Sequence, residues 1–177
     1  FPDAYRVGDI GEGWKVALTV LGFERGSSNG SSRVGGNWAQ AKGLAQHLGV
    51  TSDPVVRDDL ARLYSQYRIM ALNNQRVAAQ TKAGQAPGPE GSISKMIWVK
   101  SMNLMSDVIT KILGPRITAD TGEWGTYEWN EHLLGAPGYR IAGGSDEIQR
   151  NIVGERVLGL PGEPRTDKNV PFKDIPK

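Results

Sequence analysis

The stretch DPVVRDDLARLYSQYRIMALNNQRVAAQTK, residues 53–82, predicts one long amphipathic helix. Asp53 supplies a capping carboxylate and Pro54 occupies the first helical position, which is the usual chemistry of a helix start. Large apolar or aromatic side chains then recur at the three- and four-residue spacing of a single helical face. These are Val56, Leu60, Leu63, Tyr67, Met70 and Val77. We therefore expect a helix from Pro54 to about Lys82 that packs this face against the core.

A second helix is predicted after the connection GQAPGPEGS at residues 84–92, which is rich in helix-breaking glycine and proline. Its apolar stripe consists of Ile93, Ile97, Leu104, Met105, Val108, Ile109 and Ile112. Gly114 followed by Pro115 predicts the end of this helix. A shorter helix is expected within residues 124–134, where the pattern is less regular.

The segment IAGGSDEIQRN, residues 141–151, predicts a glycine-rich turn followed by a last helix. Ser145 is expected to cap this helix. Asp146 and Glu147 stand in its first turn, where the helix dipole favours negative charge. We expect three apolar residues on the buried side of this region: Ile148, Ile152 and Leu158.

The N-terminal part of the chain has a helical pattern that is interrupted by small residues. GWKVALTVLGFER at residues 13–25 runs into GSSNGSSRVGG at residues 26–36, where Val34 is the only apolar side chain larger than a methyl group. Glycine in a helix interior costs about 1 kcal/mol relative to alanine. Two interpretations stay open: a loop, or a helix whose small residues let another body approach closely.

Long helices joined by short connections, without a convincing strand pattern, predict an all-α chain folded as an up-and-down four-helix bundle. We expect a loop leading into the bundle at residues 1–13, the helical domain at residues 14–160 and an extended tail at residues 161–177.

Composition narrows the classes of function. The 177 residues suffice for one domain with a sizeable core. The 21 basic and 19 acidic residues nearly cancel, which gives no reason to expect a nucleic-acid partner. No apolar run approaches the roughly 20 residues of a membrane span. Cysteine is absent, which excludes disulfides and thiol chemistry and permits a reducing compartment. His47 and His132 have no ligand at metal-binding spacing, so we expect no metal site.

Two places remain as candidates for chemistry, and each also has an ordinary structural interpretation. Glu24 precedes the patch of small residues, but a solvated glutamate paired with Arg25 or another neighbour is the common fate of such a residue. Residues 143–147, taken alone, are better explained as a glycine-rich turn and a helix cap.

Taken together, these stretches resemble a known family. GEGWKVALTVLGFERG at residues 11–26, IAGGSDEIQRNIVGERVLGLP at residues 141–161 and the order of helices between them resemble the C-terminal helical domain of acyl-CoA dehydrogenases. The resemblance implies FAD-dependent α,β-dehydrogenation of an acyl-CoA thioester, with electrons passing to an electron-transfer flavoprotein. It implies homo- or hetero-oligomers formed through the helical domain, in the cytoplasm, or in the mitochondrial matrix if the source is eukaryotic.

The resemblance also implies which residue is the catalytic base. Many members carry a glutamate in a Tyr-Glu-Gly-Thr motif, where this chain has Ala142, Gly143, Gly144 and Ser145. Gly143 has no carboxylate. A second group, which includes isovaleryl-CoA and long-chain dehydrogenases, carries the base on the first helix of this domain, and Glu24 matches that position. We therefore expect Glu24 to abstract the α-proton, since the reaction needs one carboxylate within reach of the α-carbon regardless of which helix supplies it.

Other roles follow from the same resemblance. Arg25 matches a residue that helps to hold the CoA moiety, and Gly144 matches a backbone position that contacts substrate. Ser145 and Glu147 match positions that contact FAD, although Glu147 stands where a glutamine is often found.

The chain departs from the family in ways that keep other functions open. HLGVTSDPV at residues 47–55 replaces the usual Arg-Lys-Thr-Phe-Gly motif, and GPRITADTGEWGTYEW at residues 114–129 replaces Gln-x-x-Gly-Gly-x-Gly. We expect the family's N-terminal helical and middle β domains to be absent from this chain, and the isolated domain to be inactive. The alternatives are a non-catalytic subunit of a heteromeric dehydrogenase and a helical oligomerisation module.

Overall fold

A computed structural model describes residues 2–26, 36–85, 88–162, 164–165, 167 and 170–175, without the side chains of residues 23–26, 127, 128 and 172. The α-helices are α1 (Gly13–Gly26), α2 (Trp38–His47), α3 (Pro54–Lys82), α4 (Gly91–Leu113), α5 (Thr126–Gly135) and α6 (Asp146–Ile152). Short 3-10 helices are Asp3–Tyr5, Gly114–Thr118, Ala136–Arg140 and Phe172–Asp174, and Val153–Val157 forms a π-helical turn. The described residues contain no strand, so the all-α prediction is confirmed. The up-and-down four-helix arrangement stays a prediction.

Helix α3 begins and ends at the predicted residues. The Asp53 carboxylate accepts hydrogen bonds from the backbone N–H groups of Val55, at 2.7 Å, and Val56, at 3.3 Å. The first half of the predicted apolar face is buried through Val56, Leu60 and Leu63, whereas Tyr67, Met70 and Val77 are half-buried. The helix therefore contributes to the core mainly with its N-terminal half.

Helix α4 lies at the centre of the fold, because it contacts each of the other five α-helices. Its C-terminal half supplies much of the core, and it ends at Leu113, directly before the predicted Gly114-Pro115 stop. Fully or almost fully buried core residues include Leu44, Leu63, Met105, Ile109, Leu113 and Trp129. The N-terminal half of α4 contacts residues 139–146, the segment that contains the candidate site.

The start of α2 is fixed by its own capping box and by hydrogen bonds with α3. Asn37 and Gln40 form a capping box, in which each side chain accepts from the other residue's backbone N–H. The Trp38 indole donates to the Leu60 carbonyl at 2.9 Å, and the Tyr67 hydroxyl donates to the Gly36 carbonyl at 3.0 Å. Burial raises the pKa of Tyr67 to about 12. The question of loop or helix concerns residues 27–35, which lie outside the described residues.

One prediction about the last helix is wrong. Ile148 and Leu158 were expected on the buried side, but they are 50% and 66% exposed, and Gln149 is the fully buried residue of α6. The π-helical turn explains Leu158, because its backbone N–H bonds to the Val153 carbonyl five residues earlier and rotates later residues away from the α-helical face. Ile152 is half-buried.

Among the residues that the structure describes, no helix is both long and apolar enough to cross a membrane.

Candidate functional site

The turn at residues 141–145 connects the 3-10 helix Ala136–Arg140 to α6. Gly143 has φ +67° and Gly144 has φ +108°, a region that glycine enters without steric cost and other residues avoid. These glycines therefore have a backbone reason to be present. A second possible reason for these glycines, that the absence of side chains leaves space for a ligand, is independent of the first.

Lys95, on α4, binds the backbone of this turn. Its ammonium donates to the Gly144 carbonyl at 2.7 Å and to the Arg140 carbonyl at 3.3 Å. It also lies 3.8 Å from the Asp146 carboxylate, and the Lys95 side chain is only 9% exposed. A cation so withdrawn from water needs these acceptors, since burial of an unpaired charge is strongly unfavourable.

Gln149 holds the same turn from α6. Its side-chain amide nitrogen donates to the Gly143 carbonyl at 3.0 Å and to the Gly144 carbonyl at 3.4 Å. The side-chain oxygen of Gln149 is buried without a hydrogen-bond partner. Both glycine carbonyls are thus directed towards the helical body.

Asp146 links the turn to the preceding 3-10 helix. Its carboxylate accepts from the Arg140 guanidinium at 2.8 Å, and its other oxygen is the one that faces Lys95. The hydrogen bond from Arg140 to this carboxylate raises the pKa of the Arg140 guanidinium. The 3-10 helix is also attached to α4 through the rings of Trp98 and Tyr139, whose centroids lie 4.5 Å apart in an edge-to-face arrangement.

Ser145 and Glu147 complete the start of α6. The Ser145 hydroxyl accepts from the Ile148 N–H at 3.4 Å, which confirms the predicted cap. Hydrogen bonds from its own backbone N–H and from the Ser145 hydroxyl lower the pKa of Glu147. Two carboxylates, those of Asp146 and Glu147, therefore already stand at the positive end of this helix.

The predicted site residues fall into two groups. Gly144, Ser145 and Glu147 come together in the turn and the first turn of α6. Glu24 and Arg25 lie in the last turn of α1, and their side chains are outside the described residues. Both α1 and α6 pack on α4, which is the element that the two groups share.

A groove of about 410 Å³ lies between α3, α4 and the π-helical segment. It is lined mainly by apolar side chains: Ile69, Ile93, Met96, Ile97 and Val153, with Gln66 and Lys100. This groove explains why Ile93 and Ile97, at the start of the predicted stripe of α4, are only half-buried.

The sequence did not reveal Lys95, Arg140 and Gln149 as parts of this site. Lys95 lies 45 to 51 residues before its partners, so no local spacing connects them. Gln149 stands between Ile148 and Arg150, and nothing in a single sequence distinguishes a buried glutamine from an exposed one.

Comparisons with known proteins agree on one family. The family model described as acyl-CoA dehydrogenase, C-terminal domain, matches residues 11–158. Acyl-CoA dehydrogenase IpdE1 of Mycobacterium tuberculosis is 35% identical over 163 residues, which cover 89% of this chain and 40% of that protein. Its namesake in Mycolicibacterium smegmatis is 33% identical, over 89% of this chain and 39% of that protein. The chain thus spans about two fifths of the length of these relatives.

Solved structures give the same result. A structure described as the Tcur3481-Tcur3483 steroid ACAD matches with a TM-score of 0.77 and 25% identity, over 92% of this chain and 44% of the other. The ChsE4-ChsE5 complex from Mycobacterium tuberculosis matches with a TM-score of 0.75 and 23% identity, over 92% of this chain and 45% of the other. The second similarity is one of fold.

Proposed function

This chain belongs to the acyl-CoA dehydrogenase family as a C-terminal helical domain, and from that membership we propose that it serves in the FAD-dependent α,β-dehydrogenation of an acyl-CoA thioester with Glu24 as the base. Because the chain spans only part of its relatives, the reaction also requires the family's N-terminal helical and middle β domains. An electron-transfer flavoprotein is the proposed electron acceptor.

The observation that carries this proposal is that the 141–145 turn offers backbone but no available base. Position 143 has no carboxylate, and the two acids that follow the turn, Asp146 and Glu147, already have ion-pair or hydrogen-bond partners. Asp146 is paired with Arg140 and Lys95, and its place in that network is structural. The pKa of Glu147 is lowered by its hydrogen bonds, which makes it a weaker base. A base from another element is therefore needed, and Glu24 matches the family position that supplies one.

Substrate binding would make Glu24 more effective. Closing the site over an acyl chain expels water, and desolvation raises the pKa of a carboxylate towards the working pH. Arg25, next to it, is proposed to hold the CoA phosphates, for which a permanently charged guanidinium is well suited. Gly144 is proposed to contact the substrate through its backbone.

FAD, when bound, supplies the acceptor for the hydride that leaves the β-carbon. The chemistry of the residues at the start of α6 fits the hydroxyl groups of the cofactor better than its pyrophosphate. The Ser145 hydroxyl already donates to Glu147, so it can accept from a hydroxyl of the cofactor, and the Glu147 carboxylate can accept from one as well. The charges of Asp146 and Glu147 would repel a pyrophosphate at short range. We therefore propose that Ser145 and Glu147 contact FAD through its hydroxyl groups.

The test is the variant Glu24→Gln in the assembled flavoprotein. Loss of a general base costs about 100- to 10,000-fold, so flavin reduction by substrate should fall by that factor while FAD content is unchanged. Glu12→Gln is the matched control, because Glu12 stands at the opposite end of α1 in an exposed ion pair with Lys15. Unchanged flavin reduction in Glu24→Gln would remove this residue from the mechanism.

A second function is favoured by the two structural relatives. One is described as Tcur3481-Tcur3483 and the other as a ChsE4-ChsE5 complex, names that pair two different proteins. The alternative is that this chain belongs to a non-catalytic subunit of a heteromeric dehydrogenase. Co-expression with a candidate partner distinguishes the two: the alternative predicts that Glu24→Gln leaves the activity of the complex intact. A colourless full-length protein would instead favour a helical oligomerisation module.

The proposed substrate is a CoA thioester with a bulky or ring-containing acyl group. This proposal rests on the small residues that follow Glu24 in the sequence and on the relative that is described as a steroid ACAD. Rates with a steroid-derived CoA thioester and with a straight-chain acyl-CoA of similar length test it directly. A clear preference for the straight chain would contradict it.

A further inference from the structure

Lys95 is a largely buried lysine whose ammonium group bonds to the backbone of the 141–145 segment and lies beside the Asp146 carboxylate. We propose that Lys95 is a positioning residue that sets the backbone of the 141–145 turn for the dehydrogenation, an inference that rests on the proposed function. It acts through the turn and does not itself touch the reacting atoms.

The first step of the argument is the direction of the peptide groups. The carbonyls of Arg140, Gly143 and Gly144 all accept hydrogen bonds from Lys95 or Gln149, so they point towards the helical body. In a trans peptide the next N–H points the opposite way. The described backbone contains no cis peptide, so the Ser145 N–H is directed away from Lys95. The ammonium group makes the shorter of the two hydrogen bonds to the Gly144 carbonyl, 2.7 Å against 3.4 Å from Gln149, and so helps to set which side of this peptide faces outward.

The second step is that the turn's own backbone bonds are local: the Ala142 N–H donates to the Gly138 carbonyl at 3.2 Å and the Gly144 N–H to the Ile141 carbonyl at 3.3 Å. Gly143 and Gly144 have no side chains to pack, and glycine has the widest range of backbone conformations. Ordering such a turn costs more conformational entropy than ordering other residues, and hydrogen bonds to its carbonyls offset that cost. Lys95 and Gln149 donate these bonds from different helices, and Lys95 bonds both to the Arg140 carbonyl just before the turn and to the Gly144 carbonyl within it.

The third step is charge. The Lys95 and Asp146 side chains are 9% and 13% exposed, so both charges are largely withdrawn from water. Hydrogen bonds that involve a charged group in such surroundings are stronger than neutral ones. Without the ammonium, the Asp146 oxygen that faces it would have no cation, and that oxygen already lacks a hydrogen bond. Loss of Lys95 would therefore disturb the turn and the start of α6 together.

The experiment compares Lys95→Met, Lys95→Arg and Lys111→Met in the assembled flavoprotein at equal FAD content. Lys111→Met is the matched control, because Lys111 also lies on α4 and also pairs with a buried carboxylate, that of Asp59, at 2.6 Å. Two quantities are measured: hydrogen exchange of the amides of residues 142–149, and the rate of flavin reduction at saturating and limiting substrate.

In Lys95→Met we expect amide exchange in the turn to accelerate by about tenfold or more, the effect of losing charged hydrogen bonds. The limiting rate of flavin reduction should fall by about tenfold to 100-fold, with a smaller change in KM, because misplacement by about an ångström costs this much. Lys95→Arg should recover most of both. Lys111→Met should change neither, although it lowers stability.

Two results would overturn the inference: turn exchange in Lys95→Met equal to wild type, or faster exchange with an unchanged rate of flavin reduction. Both leave the proposed function intact, since wild type would still reduce flavin through Glu24. Wild-type holoprotein that fails to reduce flavin with any acyl-CoA would refute the proposed function and, with it, the role of Lys95 in a reaction.

Discussion

The indole ring of Trp129 covers the backbone of Gly36 so closely that a β-carbon at residue 36 would overlap its Cη2 and Cζ3 atoms. Trp129 belongs to α5, and the Tyr67 hydroxyl of α3 holds the Gly36 carbonyl from another direction. The point where the chain leaves the small-residue stretch and enters α2 is therefore fixed by two other helices.

Gly36→Ala should destabilise the chain by about 1–3 kcal/mol, because a methyl group there must displace a buried aromatic ring. Gly43→Ala is the matched control, since Gly43 lies inside α2 with 3.9 Å between its would-be β-carbon and Trp124. That substitution should stabilise the chain by about 0.5–1 kcal/mol through the better helix propensity of alanine. Urea unfolding measures both, and equal stability of the two variants would contradict the contact.

The helix ends that the sequence predicted well are those with a local chemical signal. Asp53 and Pro54 specify the start of α3, and Gly114 with Pro115 specifies the end of α4, each by chemistry within a few residues. The buried face of α6 was not predictable in the same way. A seven-residue helix followed by a π-helical turn is too short to show a clear apolar period. In addition, the glycine carbonyls of the 141–145 turn need a hydrogen-bond donor, so the buried position is filled by the amide of Gln149 rather than by an apolar side chain.

In the candidate site, too, the local features could be predicted from the sequence and the contacts between distant segments could not. The cap at Ser145 and the acids after it are local features, so the sequence indicated them. The network of Lys95, Arg140 and Asp146 depends on how α4 packs against a segment 45 or more residues away. Nothing in the spacing of these residues encodes that packing, and only the fold brings them together.

Lys111→Met should cost about 1–2 kcal/mol of unfolding free energy. Lys111 donates to the Asp59 carboxylate at 2.6 Å, and Asp59 is only 4% exposed, so the substitution leaves a buried charge with Arg62 at 3.9 Å as its remaining cation. The half-exposed Lys111 side chain places the effect below that of a fully buried pair.

The control for this ion pair is Lys15→Met, which removes the exposed pair between Lys15 and Glu12 on α1. Exposed pairs contribute little, so we expect a change of about 0.5 kcal/mol or less. Chemical unfolding of both variants in the same buffer provides the comparison. If the two substitutions proved equally mild, Asp59 would not depend on Lys111.

Acid should destabilise the chain through His132. This side chain is 1% exposed, its Nε2 lies 3.1 Å from the Met102 carbonyl, and its Nδ1 is buried without a partner. Burial lowers the pKa of His132 below its ordinary value of 6.5, and the Met102 carbonyl only partly opposes this. The folded state thus binds fewer protons than the unfolded state. Stability is complete above pH 6.5 and declines as the pH falls below that value, by at most about 1.4 kcal/mol per pH unit.

Replacing His132 with Gln should flatten the stability profile below pH 6.5, because glutamine can still donate to the carbonyl but does not titrate. His47→Gln, which removes the other histidine, an exposed one that lies against Trp124, is the comparison variant. Denaturation at a series of pH values measures the effect. An identical acid slope in His132→Gln and wild type would assign it to other groups.

The turn glycines allow the two explanations for their presence, backbone conformation and empty space, to be separated. Gly143→Ala and Gly144→Ala should each destabilise the chain by about 1–3 kcal/mol, because both positions have positive φ. Gly138→Ala, in open space and without a positive φ, should change stability by about 0.5 kcal/mol or less. Asparagine tolerates a left-handed backbone, so Gly143→Asn should be milder than Gly143→Ala. If Gly143→Asn keeps its stability in urea but loses flavin reduction in the assembled enzyme, the space is what the reaction needs. If it keeps both, the glycine serves the backbone alone.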